Sequence, residues 1–212
     1  NLASPLAEAV IKDIERLATG RATTLEEGRE EADPDAAVTS NNLYQRAQGL
    51  RNYQQQFVEQ VFQHHVKGNG ARFLLADQVG LGKTPQMALA AALIGLHSRK
   101  PVLIVVPKTL VEQWQVELLD LLGLPSARWD TVQRCWITEN GEQIPGTVTA
   151  APRRIGILSQ GLVVHSEEVR RDLCDLHGGY ACVVIDEAHR ARVKRSGQDR
   201  KPNNLMLFAR QV

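Results

Sequence analysis

The sequence predicts an α/β domain built on a mainly parallel sheet with helices on both sides, preceded by a helical appendage. Three observations carry that expectation. Short apolar runs without a charge recur at residues 73–76, Val102–Val106, 155–158 and Cys182–Ile185. Helical stretches around residues 85–96, 110–122 and 166–176 alternate with them. A glycine-rich turn joins the first run to the first of these helices. Uninterrupted apolar runs fit strands covered on both faces, and the strand–helix–strand order puts crossover helices on those faces.

Taken in order, the elements begin with Ser4 and Pro5, a cap and a first helical position, followed by Leu6, Val10, Ile14 and Leu17 at helical spacing and a stop at Gly20. Glu26, Glu27, Glu30, Glu31, Asp33 and Asp35 then stand among Gly and Pro with few large apolar residues, the composition of a solvated acidic linker. Residues 1–42 are therefore read as helix plus linker, and 43–212 as the folded lobe. The stretch 129–149 is irregular, but Asn140-Gly141 between Cys135-Trp136-Ile137 and Gln143-Ile144 signals a hairpin, read as an excursion from the sheet. Residues 205–212 read as a helix cut off in mid-pattern, so the lobe is expected to be incomplete at its C-terminus and the chain to be part of a longer protein.

Bulk properties narrow the function. A chain of 212 residues with 43% hydrophobic content can bury one good core. No apolar run approaches the roughly 20 residues needed to span a bilayer, and the start lacks the pattern of a secretory signal. A cytoplasmic protein without a membrane partner is expected. Cys135, Cys174 and Cys182 are odd in number and have no CxxC spacing, which suggests neither a disulfide framework nor a zinc site. His64 and His65 are adjacent on a helix and point to different sides, which does not make a metal site. A formal net charge of +1 gives no general attraction to nucleic acid, so any such contact must be local.

The most informative segment is Asp77-Gln78-Val79-Gly80-Leu81-Gly82-Lys83-Thr84, followed by Pro85 in a helical first turn. A triphosphate needs backbone N–H groups facing inward around it, and Gly80 and Gly82 permit the φ values that this requires. The Lys83 ammonium can reach the β- and γ-phosphates, the Thr84 hydroxyl can join the Mg²⁺ shell, and the helix N-terminus adds partial positive charge. Together with Leu81 these residues form a candidate ATP site. Asp77 stands where the full phosphate-loop pattern has another glycine.

About a hundred residues later, Val183-Val184-Ile185 leads into Asp186-Glu187-Ala188-His189. Asp186 can hold Mg²⁺, partly through water, and Glu187 can orient and deprotonate the water that attacks the γ-phosphate. A DEAH tetrapeptide alone is weak. After an apolar strand and downstream of a phosphate loop it is specific, because both elements then end at the ligand-binding edge of a parallel sheet.

With these motifs in place, the chain from Leu43 onward resembles the Swi/Snf group of superfamily 2 helicases and translocases, in its first RecA-like lobe. Leu50-Arg51-Asn52-Tyr53-Gln54 looks like the family's adenine-recognising segment, which implies Gln54 as the base contact with Tyr53 nearby. The loop is similar to the family's Asp-Glu-x-Gly-Leu-Gly-Lys-Thr, with Gln78 in place of Glu. Leu103-Ile104-Val105-Val106-Pro107, followed by Leu110, Trp114 and Glu117, looks like the motif whose strand end touches the backbone of the tracked strand. The resemblance thus implies Pro107, Lys108 and Thr109 as DNA contacts. Ile157-Leu158-Ser159-Gln160 is similar to the next strand-end motif and implies Ser159 as a phosphate contact.

A DEAD-box RNA helicase would read Pro-Thr-Arg-Glu-Leu at the Pro107 segment, and this chain does not. Trp114 is read as core packing of its helix against the sheet. The residues from Arg190 to Lys201, rich in Arg and Lys, are read as a basic loop, either near the DNA groove or simply solvated.

The resemblance implies an ATP- and Mg²⁺-dependent translocase on double-stranded DNA. It also implies a second RecA-like lobe in the same full-length chain, which supplies the arginine finger, so this chain alone is expected to bind nucleotide and barely hydrolyse it. A protein displaced from DNA is a further expected partner. The alternatives left open are a strand-separating or restriction-type motor subunit and a non-motor ATP-binding switch.

Overall fold

The computed structural model describes residues 50–68, 72–76, 81–196 and 199–212. The expected N-terminal helix and acidic linker lie outside the described residues, as do Asp77, Gln78, Val79 and Gly80 of the phosphate loop. The chain divides into two compact units, Asn1–Arg99 with Val116–Pro125, and Lys100–Gln115 with Ser126–Val212.

In the first unit, α1 (Asn52–Val66) packs on α2 (Lys83–Ser98). At the α1 N-terminus Gln54 Oε1 accepts the Arg51 N–H at 2.8 Å, and the Arg51 carbonyl accepts the Gln54 N–H at 2.9 Å. Val58, Val61 and Phe62 are buried along one face of α1. The run Ala88-Leu89-Ala90-Ala91-Ala92-Leu93-Ile94 makes α2 a strong helix former, and this run is buried at every position. Phe62 meets His97 edge-on with ring centroids 5.7 Å apart, and His65 Nε2 lies 3.2 Å from His97 Nδ1 and 2.9 Å from Ser98 Oγ. His65 is thereby tied into the α1–α2 contact.

One expectation fails here. Residues 72–76 form no strand, and Leu74 is 79% exposed. Apolar character alone does not make a strand: without a ladder partner its N–H and C=O groups gain nothing from extension.

The second unit carries the mainly parallel sheet with flanking helices expected of an α/β RecA-like lobe. Strands β1 (Val102–Val106), β2 (Ser126–Asp130), β3 (Cys135–Thr138), β4 (Gln143–Pro145), β5 (Ile155–Ser159) and β6 (Cys182–Ile185) form one sheet in the order β4-β3-β2-β5-β1-β6. β2, β5, β1 and β6 are parallel, whereas β3 and β4 are antiparallel additions. The Asn140-Gly141 hairpin is present but is not an excursion: β3 and β4 continue the main sheet, because β2 presents an open edge that β3 pairs along four residues.

β1 and β5 are buried along their whole length, as uninterrupted apolar runs demand, and each fully buried Val, Leu or Ile contributes roughly 1.5–3 kcal/mol. β6 is only half-buried, and among the described residues it is the last strand of the sheet. On this sheet Leu103, Val105, Ala127, Trp136 and Leu158 form a core cluster with Val163 of α4 (Gln160–His165), Leu173 of α5 (Glu167–Cys174), and Leu205 and Phe208 of α6 (Asn204–Gln211). The α6 N-terminus is capped by Asn203, whose side chain accepts the Met206 N–H at 2.9 Å.

The basic segment expected as a loop is a two-stranded hairpin of β7 (Val193–Ser196) and β8 (Asp199–Pro202). Cross-strand backbone bonding orders it, a feature that its charge pattern does not reveal. Among the described residues no helix is long and apolar enough to cross a membrane, and all three cysteines are free.

At the N-terminal ends of the parallel strands a cavity of about 190 Å³ is lined by Pro101, Val102, Trp136, Gly156 and Tyr180, among others. Burial pushes the Tyr180 phenol up to about 12, with the neighbouring Cys174 adding repulsion. The folded state therefore favours the neutral phenol. That contribution to stability is fully present below the ordinary tyrosine value near 10 and is lost as pH rises through about 12. An absorbance titration at 295 nm is expected to show a component near pH 12 that Tyr180→Phe removes, and an unchanged titration in the variant would contradict this burial.

Candidate functional site: a phosphate loop and an acidic box

In the first unit the described end of the phosphate loop is held by its neighbours in α1 and α2. The Leu81 carbonyl accepts from Tyr53 Oη at 3.0 Å and from Gln54 Nε2 at 2.9 Å. The Gly82 carbonyl accepts from Gln86 Nε2 at 3.1 Å. Gly82 caps α2 with φ +69°, in the left-handed region, and a Cβ there would stand 2.6 Å from Gln54 Nε2. The left-handed angle favours glycine, and a Cβ there would push on the Gln54 amide that holds the Leu81 carbonyl.

Lys83 and Thr84 are the first two residues of α2, half-buried, at the end where backbone N–H groups lack intrahelical partners. This arrangement fits a phosphate: a glycine cradle that a Cβ would fill, a lysine, a hydroxyl and a helix N-terminus. Gln54 is 8% exposed and binds the loop backbone and its own helix start. That anchoring role was not legible in the sequence, where the residue suggested only a base contact.

In the second unit the parallel register brings the other segments to one sheet edge. Val106 pairs with Ser159 and Val105 with Ile185, so Pro107, Gln160 and Asp186 each begin where a neighbouring strand ends. Pro107 is buried, whereas Lys108 and Thr109 are exposed. Ser159 is 6% exposed at the end of β5. Lys108 also lies close enough to Asp130 to attract its carboxyl, which is held below the usual range chiefly by the N–H groups of Gln133 and Val132.

The acidic box sits at the end of β6. The Asp186 N–H donates to the Val105 carbonyl at 3.0 Å, and Asp186 Oδ1 accepts the Glu187 N–H at 2.8 Å. Asp186 Oδ2 accepts from Trp114 Nε1 at 3.1 Å, and Gln160 Nε2 donates to the Asp186 carbonyl at 2.6 Å. Each carboxylate oxygen retains acceptor capacity, so a hard, oxygen-liganded cation such as Mg²⁺ suits this group.

Glu187 is exposed and adopts φ +49°, a left-handed value that costs a non-glycine residue roughly 1–2 kcal/mol. His189 Nδ1 lies 3.0 Å from Glu187 Oε2. Such backbone strain persists only where the surroundings over-determine it, and it makes Glu187 a candidate functional residue. Trp114, Gln160 and His189 were not assigned these roles from sequence. Trp114 does pack in the core, being 2% exposed, but its polar edge ends on the box.

A family model for the SNF2-related domain matches residues 53–207. The chain belongs to the SNF2-related domain family. Among its relatives are proteins named RNA polymerase-associated protein RapA. That of Histophilus somni is 34% identical over 125 residues, covering 56% of this chain and 12% of the relative. That of Haemophilus influenzae strain PittEE is 33% identical over 144 residues, covering 66% and 14%. The protein of Klebsiella pneumoniae is 36% identical over 120 residues, covering 56% and 12%. The matched stretch is thus a small part of those relatives. Within the SNF2-related family, the Swi/Snf-like group suggested by the strand-end segments and the first-lobe position agree with these matches.

Proposed function

We propose that this chain is the ATP-binding lobe of a Swi/Snf-like motor that translocates on double-stranded DNA. The observation that carries the reading is the shared sheet edge, where the register aligns the Lys108 segment, Ser159 and Asp186. A surface that touches a nucleic-acid backbone and a carboxylate that serves nucleotide hydrolysis then stand on adjacent strands.

In this reading Gly80, Leu81, Gly82, Lys83 and Thr84 hold the phosphates of ATP, with Gln54 at the adenine. Thr84 in the first unit and Asp186 in the second are each candidates to serve Mg²⁺, which when bound would neutralise charge on the phosphate oxygens. Glu187 orients the attacking water and takes its proton, and with Oε2 beside His189 the free carboxylate oxygen is Oε1. Lys108, Thr109 and Ser159, on the scaffold of Pro107, contact backbone phosphates. Such contacts carry little sequence information and release counterions, so binding is sequence-independent and falls steeply with salt. A second RecA-like lobe in the full-length chain completes the DNA track and the catalytic charge stabilisation. The RapA relatives are named as RNA polymerase-associated, which makes RNA polymerase a candidate for the protein partner of this motor.

The test is the ATPase of the full-length protein with duplex DNA, single strands, RNA or no nucleic acid. Stimulation by duplex is expected. Stimulation only by single strands would favour a strand-separating motor, and none would favour an ATP-binding switch. Lys108→Ala is expected to lower the duplex-stimulated rate severalfold with the basal rate nearly unchanged. Normal stimulation with a damaged basal rate would place Lys108 in the nucleotide site or the core.

A further inference from the structure

Two buried donors from separate segments converge on one residue of the acidic box. Trp114, 2% exposed, donates from Nε1 to Asp186 Oδ2, and Gln160, 4% exposed, donates from Nε2 to the Asp186 carbonyl. The Glu187 N–H holds the other carboxylate oxygen, Oδ1. Carboxylate and peptide of Asp186 are therefore fixed from three directions.

The chain positions of the two donors are informative. Trp114 stands on α3 (Val111–Leu122), which follows directly on the short turn Lys108–Leu110. Gln160 is the residue after Ser159. Each segment assigned to the DNA backbone thus leads, within a few residues, to a side chain that ends on Asp186. A core tryptophan needs some acceptor for its indole N–H, and a backbone carbonyl suffices, as Thr147 does for Trp136 at 2.9 Å. Trp114 instead spends its donor on a carboxylate, which makes a stronger, charge-assisted bond and fixes the direction of that carboxylate.

We propose that Trp114 and Gln160 are positioning residues: Trp114 orients the Asp186 carboxylate, Gln160 orients the Asp186–Glu187 peptide, and through them a displacement of the Lys108–Thr109 or Ser159 segment reaches the acidic box. This rests on reading Asp186 as the Mg²⁺-side carboxylate. Trp114 and Gln160 need not touch nucleotide or DNA to act. Moving either donor by a fraction of an ångström turns the carboxylate or the Glu187 backbone, because neither is held loosely.

The test uses Trp114→Phe, which keeps the ring in the core and removes the donor, and Gln160→Met, which keeps length and removes the amide. Calorimetry of ADP binding to this chain, with and without Mg²⁺, is read beside thermal unfolding, with Asp186→Asn as the reference. Trp114→Phe is expected to reduce the Mg²⁺-dependent gain in affinity by roughly 10-fold, the usual cost of losing a residue that orients a metal ligand, while Mg²⁺-free binding stays at the parental value. In the full-length protein Gln160→Met is expected to lower the ratio of duplex-stimulated to basal turnover severalfold. Should Trp114→Phe fail to unfold cooperatively, Trp114→His, which retains an N–H donor, is expected to restore the Mg²⁺ dependence.

If Asp186→Asn abolishes the Mg²⁺ gain while Trp114→Phe and Gln160→Met behave as the parent, the positioning role is wrong and the reading of the box stands. If Asp186→Asn itself leaves the Mg²⁺ gain intact, the reading of the box fails and the positioning role with it.

Discussion

Replacing Lys83 with Ala is expected to weaken binding of Mg-ADP or Mg-ATP by roughly 30- to 100-fold, about 2–3 kcal/mol. The backbone part of the cradle does not depend on this side chain. Gly82 keeps its left-handed conformation, the Leu81 and Gly82 carbonyls keep their bonds to Tyr53, Gln54 and Gln86, and the α2 N-terminus keeps its direction. What is lost is the one full positive charge in the first turn of α2. Phosphate recognition by helix-terminal N–H groups alone persists, but weakly, since the helix terminus carries only about half a charge. Calorimetry decides the matter, with unfolding temperature as the control for folding. Equal affinity in parent and variant would remove the phosphate-loop assignment.

The fold was legible where local pattern and tertiary role coincide. β1 and β5 are buried on both faces, and their sequences are apolar at every position but Gly156 and Ser159. Gly156 is itself explained by packing: a Cβ there would stand 3.2 Å from the Trp136 ring. The helix after the glycine turn and the strand before the acidic box were legible because their patterns are local in sequence. β2 was not, since Ser126-Ala127-Arg128-Trp129-Asp130 carries two charges. In the fold Arg128 Nε is satisfied by Gln115 Oε1 at 3.0 Å, while Gln115 Nε2 donates to the Ser126 and Ile137 carbonyls. A buried amide from a helix thereby anchors the β2–β3 pair, and no single-segment pattern contains that information.

The same limit applies to the site. The residue types of the loop and box announce themselves, but the Trp114 contact spans 72 residues of sequence and the Gln160 contact 26. A tryptophan one turn into a helix reads as core because most such residues are core, and its burial agrees with that reading. Only the direction of the indole N–H separates packing from positioning. The run at 73–76 errs in the opposite sense, since its composition suits a strand and its backbone finds no ladder.

The substitution Glu187→Gln in the full-length protein is expected to leave nucleotide affinity within a few-fold of the parent and to lower ATP turnover by roughly 10²–10⁴-fold. Glutamine preserves the length and shape of the side chain, so the left-handed backbone at this position is not made worse by bulk. Asp186, the proposed Mg²⁺-side carboxylate, keeps its bonds to Trp114 and to the backbone N–H of residue 187, and the proposed phosphate loop is untouched. Binding and chemistry therefore separate. The amide has no basic oxygen that can accept the proton of the attacking water, and its NH₂ group presents donors where the carboxylate presented only acceptors.

His189 offers a control. It meets Glu187 at Oε2, so His189→Ala is expected to change turnover far less than Glu187→Gln if its part is only to orient the carboxylate. Single-turnover hydrolysis measured beside equilibrium nucleotide binding resolves the two steps. Parental turnover in Glu187→Gln would show that Glu187 is not the base, and the proton would then have to leave through another group at the same strand end.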